Sequence, residues 1–155
     1  MATFKFNADL TLATRAPSSL EVPLPLLFQP PAHLIANDHV LLSAAKAAQE
    51  VGTLMFVPAE NYTQALAPYA QHLIPCLTVD NFKENRSLIA QSRAIELADG
   101  PGIEKVIAEL RASQPETAIV VGMATDARAA DRAVELARAD VDSLHFTADN
   151  HGKEI

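Results

Sequence analysis

Cysteine, glycine, positive charge and long apolar runs are all scarce in this 155-residue chain, and each shortage excludes something. The single cysteine, Cys76, rules out an internal disulfide and any cysteine-ligated cluster, and its apolar surroundings favour burial over reactivity. There are only five glycines, where average usage of about 7% would give about 11. Backbone cradles for phosphate depend on glycine, so the shortage weighs against a nucleotide or flavin site. Nineteen acidic residues against twelve basic ones give a net charge of −7, without a basic cluster, and this disfavours nucleic acid as a partner. No apolar stretch reaches the roughly 20 residues of a membrane span, and the start, MATFKFNADL, carries Lys5 and Asp9 where a signal peptide would be apolar. The expected compartment is the cytoplasm, with no membrane partner.

What the chain does have is a relay of six short apolar runs separated by helical patterns: LPLLF (Leu24–Phe28), TLMFV (Thr53–Val57), HLIPCLTV (His72–Val79), RAIELA (Arg93–Ala98), TAIVVGM (Thr117–Met123) and DSLHFTA (Asp142–Ala148). Strands alternating with helices pair in parallel, because each crossover returns the chain to the same end of the sheet. The fold class is therefore α/β, with about six mainly parallel strands. A chain of this length buries roughly 70% of its unfolded surface and forms a single domain, 1–155. A closed eight-stranded barrel takes about 250 residues. The expectation is thus an open sheet or a truncated, partial TIM-barrel-like arc.

Residues 1–31 differ from the βα repeats of 32–155. FKF (Phe4–Phe6) and DLTLAT (Asp9–Thr14) alternate as a small hairpin would, and Pro17, Pro23, Pro25, Pro30 and Pro31 keep the segment up to Pro31 extended as a ribbon. The first helix is predicted from an Asp38 N-cap to Val51, with Val40, Ala44, Ala47, Ala48 and Val51 inward and Gly52 as the stop. Asp80 or Asn81 caps the next, which buries Phe82, Leu88 and Ile89. Ile103, Val106, Ile107 and Leu110 recur at i, i+3, i+4 and i+7 before the breaker Pro115. From Thr125 to Ala139 the apolar stripe is Ala130, Ala133, Val134 and Ala137, and the Arg132/Glu135 pair reads as surface decoration.

The segments AAKAAQEVGT (Ala44–Thr53), YAQHLI (Tyr69–Ile74), AIELADGPG (Ala94–Gly102), IEKVIAELRASQPETAIVV (Ile103–Val121) and ADVDSLHFTADNHG (Ala139–Gly152) resemble, in sequence and order, the FMN-binding barrel domain of ferredoxin-type glutamate synthases. The resemblance implies successive barrel strands, an FMN cofactor and glutamate formation from 2-oxoglutarate with ammonia or glutamine-derived nitrogen. The departures fall where that chemistry would lie. The loop after the first strand is QPPAHL (Gln29–Leu34), and the family's Asn-Ser/Thr-Gly-Glu-Gly-Gly element is FVPAEN (Phe56–Asn61). The glycine- and lysine-bearing segment is cut to Asp99–Gly102, and the cluster cysteines and final barrel units have no counterpart. Only Glu60, Gly100 and Gly102 carry over as cofactor-binding positions.

In parallel α/β folds, ligands bind at the carboxyl ends of the strands. Here that rim holds Gln29, His33, Glu60, Asn61, Asp80, Asn81, Asp99, Thr125, Asp126, Asp149, Asn150 and His151, with Lys153 as its nearby cation. It is acidic, and no cofactor is expected. Asp80, Asn81, Thr125 and Asp126 read first as helix caps. His145, Asp149 and His151 form a loose HxxxDxH set for a metal, and Asp99 with Asp126 a carboxylate pair, but neither has a companion nucleophile or fixed ligand spacing. An unfinished barrel leaves strand edges to be covered. The first margin has its own proline-rich ribbon, and the last run exposes Leu144 and Phe146 as candidate contacts with a second copy or a partner subunit. Two functions are therefore expected: a noncatalytic accessory scaffold of glutamate-synthase type, or an FMN-dependent glutamate-synthase-type oxidoreductase.

Overall fold

The computed structural model describes residues 7–11, 20–29 and 37–148. Its six strands are β1 (Leu27–Phe28), β2 (Leu54–Pro58), β3 (Leu73–Leu77), β4 (Ala94–Ala98), β5 (Ala118–Ala124) and β6 (Ser143–Thr147). They lie side by side in chain order, every neighbouring pair parallel. Between them run α1 (Asp38–Val51), two 3-10 segments (Ala59–Asn61 and Gln64–His72), α2 (Arg86–Ile89), α3 (Ile103–Ser113) and α4 (Ala129–Arg138). Among the described residues no helix is long and apolar enough to cross a membrane.

Strand order that never reverses puts the crossovers on one face, and the burial pattern shows this. Met55, Val57 and Leu73 pack with Leu41, Ala45 and Ala48 of α1. Leu77, Ile95, Leu97, Ile119, Val121 and Met123 pack with Ile103, Val106, Ile107 and Leu110 of α3 and with Ala129 and Leu136 of α4. The alternate residues Leu54, Phe56, Ile74, Ala94 and Ala118 form a separate cluster on the other face, with Leu20, Val22 and Cys76 against it.

That second face is concave. In a flat sheet β2 and β6 would stand about 19 Å apart, four strand spacings. Instead the rings of Phe56 on β2 and His145 on β6 stack with centroids 4.8 Å apart. The sheet is therefore curled into an arc of a barrel rather than laid open.

Local chemistry explains the elements and corrects some expected details. The N-cap of α1 is Asn37, not Asp38: its Oδ1 accepts from His39 N (3.0 Å) and Val40 N (3.3 Å). The inward stripe is centred on Leu41, Ala45 and Ala48, one step from the expected phase, and Val51 is exposed. Gly52 ends the helix at φ 77, and a Cβ there would lie 2.9 Å from Pro23 Cγ. The helix stop and the ribbon are thus packed together. In α4 the phase is also shifted: Ala129 and Leu136 are buried while Ala130, Val134 and Ala137 face out. Ala133 points inward as expected, and so do Phe82, Leu88, Ile89 and the α3 stripe. Asp80 caps nothing among the described contacts; Asn81 Oδ1 closes a turn by accepting from Thr78 N (2.8 Å).

The described part of the ribbon packs on the sheet's concave face, and the rest of it lies outside the described residues. Leu20 and Val22 lie across the amino-terminal half of the concave face, and Arg93 donates to Glu21 O at 3.1 Å. The expected hairpin from Phe4 to Thr14 falls mostly outside the described residues; within it Asn7 N bonds Thr11 O at 2.8 Å.

Candidate functional site

Polar side chains collect in two places. The first is the rim between β4 and β5, a depression of about 870 Å³ lined by the loop Asp99–Gly102 and the start of α4. Arg132 reaches across it: Nε and Nη2 contact Asp99 at 2.7–3.1 Å, and Nη1 contacts Glu104 and Glu135 at 2.9 Å each. These carboxylates, Asp99 foremost, hold the guanidinium even more firmly in its charged form. Glu104 is held below the usual carboxyl range by its own backbone N–H and by Arg132. Asp126 Oδ1 accepts from Arg128 N (2.8 Å) and closes a turn ahead of α4, whose N-cap is Arg128 rather than the expected Asp126, and its carboxylate lies 3.8 Å from the Arg128 side chain. Arg132 is therefore more than the decoration its i,i+3 spacing suggests, since it is the hub that joins β4, α3 and α4. Arg132 and Arg128 also correct the expectation that the rim has no basic residue beyond Lys153.

Gly100 and Gly102 line this depression, and Glu60 does not. Glu60 is exposed beyond the end of β2, two strands from Gly100. Added Cβ atoms at Gly100 or Gly102 would meet nothing within 4 Å, so no close approach within the chain requires glycine there. Thr125 ties strand ends together, its hydroxyl donating to Thr147 O at 3.0 Å. His33, Asp149, Asn150, His151 and Lys153 lie outside the described residues, and among the described residues no group of three metal-binding side chains occurs.

The second place is the concave face itself. Pairing in register sets Cys76 beside Glu96, Glu96 beside Val120, and Gly122 beside His145. His145 Nδ1 and Glu96 Oε2 are 2.5 Å apart, joining β6 to β4 over the intervening β5. Gly122 makes this reach feasible, because a Cβ there would sit 2.9 Å from Glu96 Oε1. The side chains of Glu96 and His145 are only 14% and 24% exposed. Burial, and then the adjacent Glu96 carboxylate, push the Cys76 thiol well above the ordinary range, so it is a neutral thiol. His145 is partly buried, as expected; Glu96 and Gly122 escaped the sequence reading. The available signal was a glutamate at an inward position of a strand otherwise reading Ala-Ile-x-Leu-Ala, with glycine and histidine at matching positions on the next two strands.

The fold and these sites define an α/β protein of partial-barrel type. No family model matches the chain, and no solved structure matches it. An archaeal glutamate synthase (NADPH) from Methanocaldococcus jannaschii is 31% identical over 113 residues, covering 66% of this chain and 22% of that protein. The chain thus spans about a fifth of the length of this relative, and the similarity is a distant, glutamate-synthase-like one.

Proposed function

We propose that this chain is an accessory scaffold of glutamate-synthase type that works by assembling with a second copy or a partner subunit, without flavin chemistry of its own. The resemblance to the FMN-binding barrel domain and the similarity to the archaeal enzyme support the lineage. The observation that carries the noncatalytic reading is the state of Arg132. A barrel flavin site needs free donors and a cation for the phosphate at the strand ends. At the rim between β4 and β5 Arg132 is saturated by Asp99, Glu104 and Glu135, Arg128 faces Asp126, and the described lining residues hold five carboxylates against two guanidiniums. An FMN phosphate entering there would meet repulsion and would have to displace an internal carboxylate, so these residues do not fit the cofactor. Gly100 and Gly102 offer open backbone, and Glu60 does not line the depression they share.

Assembly is supported by the margin at β6. Phe146 is 49% exposed on the last strand of the arc, and Leu144 is only partly buried beside it. An exposed aromatic on a strand that pairs on one side only among the described residues favours a protein contact. Titration with FMN is the test: the reading expects affinity weaker than about 100 μM. Micromolar binding with quenched flavin fluorescence would instead favour the second reading, a flavin-dependent oxidoreductase forming glutamate, which the similarity to a glutamate synthase keeps in play.

A further inference from the structure

We propose that the concave face is a binding site for a small uncharged molecule with a mostly apolar body and one hydroxyl donor, which bonds to Nε2 of His145. A groove of about 480 Å³ runs along this face between the ribbon and β6, walled by Leu27, Leu54, Phe56, Ile74 and Val120 and closed at one side by His145. Its size falls in the range of small-molecule pockets, which are largely apolar with few polar groups. The polar group here is unusually well held. With Nδ1 of His145 donating to Glu96 Oε2 across 2.5 Å, the neutral imidazole presents Nε2 as an acceptor. Among the described residues Nε2 has no hydrogen-bond partner. Phe56 fixes the plane of the ring by stacking on it.

The ligand's charge follows from the walls. Among the described residues no lysine or arginine lines the groove, whose polar residues are Gln29, Ser143 and His145, so an anion would be desolvated there without a counter-charge. A cation would find no carboxylate among the described lining residues, Glu96 being bonded to His145 outside that lining. A neutral hydroxyl facing Nε2, with a hydrocarbon or aromatic body along Phe56 and Leu54, matches the imidazole and the apolar wall. This site is separate from the acidic rim and does not depend on the assembly reading.

The test compares 4-ethylphenol with ethylbenzene on the full chain, following the His145 ring nitrogens by NMR. The expected result is a saturable shift of Nε2 with 4-ethylphenol, and binding about fivefold or more tighter than that of ethylbenzene. H145F should abolish the preference while still binding ethylbenzene, and E96Q, which removes the charge that sets the ring's proton, should reduce it. If H145F does not fold, the wild-type and E96Q comparisons decide. Equal affinities, an unmoved Nε2, a preference retained in folded H145F, or one undiminished in folded E96Q would overturn the proposal.

Discussion

Replacing Asp142 with alanine should be among the most damaging single changes in this protein, because three elements meet on one buried ion pair. The Asp142 and Arg111 side chains are 6% and 9% exposed. Arg111, from the last turn of α3, bonds the Asp142 carboxylate, Thr117 O (2.9 Å) and Asp140 O (2.9 and 3.1 Å). The same carboxylate accepts from Ile119 N at 2.8 Å, at the start of β5. Alanine removes the counter-charge of a buried guanidinium, a loss of about 3–5 kcal/mol. It also takes away the acceptor for a strand N–H, itself worth about 1–3 kcal/mol and partly included in the first figure. Against a total stability of about 5–15 kcal/mol, a loss of about 4 kcal/mol is severe. Urea unfolding read by circular dichroism should show the midpoint falling without a change in slope. D142N retains an oxygen for Ile119 N and should cost about half as much. The double variant R111M/D142L, which replaces the pair by apolar groups, should be more stable than D142A alone. A loss below about 1 kcal/mol in D142A would refute the reasoning, showing that water reaches the pair and screens it.

Other outcomes follow from the same geometry. Ile107→Ala should cost about 2–5 kcal/mol by denaturant unfolding, and Lys105→Ala on the outer face of α3 under about 0.5. Gly122→Ala drives a methyl into Glu96, so it should destabilise by about 1–3 kcal/mol and shift the His145 ring resonances; an unchanged imidazole spectrum would contradict the packing. The Cys76 thiol should react far more slowly with a disulfide reagent at pH 8 than a free thiol does. Because its folded-state pKa is raised, the unfolded chain releases a proton that the folded one keeps, so stability should fall as pH rises through the ordinary thiol range, and Cys76→Ala should flatten that fall. Phe146→Lys should shift any oligomer toward smaller species in sedimentation; a wild-type protein strictly monomeric at about 100 μM would count against self-assembly.

Much of the architecture could be read from the sequence because parallel strands buried on both faces write themselves as uninterrupted apolar runs. Four of the six runs match their observed strand to within a residue at either end, the His72–Val79 run overshoots β3 by two residues, and β1 shrinks to Leu27–Phe28 because Pro23 and Pro25 withhold the N–H groups a longer strand would donate. The α3 stripe was legible since its four large aliphatics leave one phase only. Helices α1 and α4 come out one step away from the phase their sequences suggest because alanine, abundant on every side of both, carries little sense of direction. The Glu96–His145 bond was invisible for another reason. Its partners lie two strands apart, and only the curl of the sheet, which no local pattern encodes, brings them to 2.5 Å. The role of Arg132 was hidden similarly, as its contact with Asp99 joins segments that periodicity treats as independent.

The in-order sheet also has a kinetic meaning. From Leu27 with Leu54 to Val120 with Ser143, every strand finds its partner after a loop of roughly two dozen residues, and no pairing waits for a distant segment. As the polypeptide leaves the ribosome, each new βα unit can dock on the one completed before it, so assembly proceeds from the amino end by accretion. At every stage the growing edge is the most recent strand, and among the described strands β6, which carries Phe146, is the last to dock.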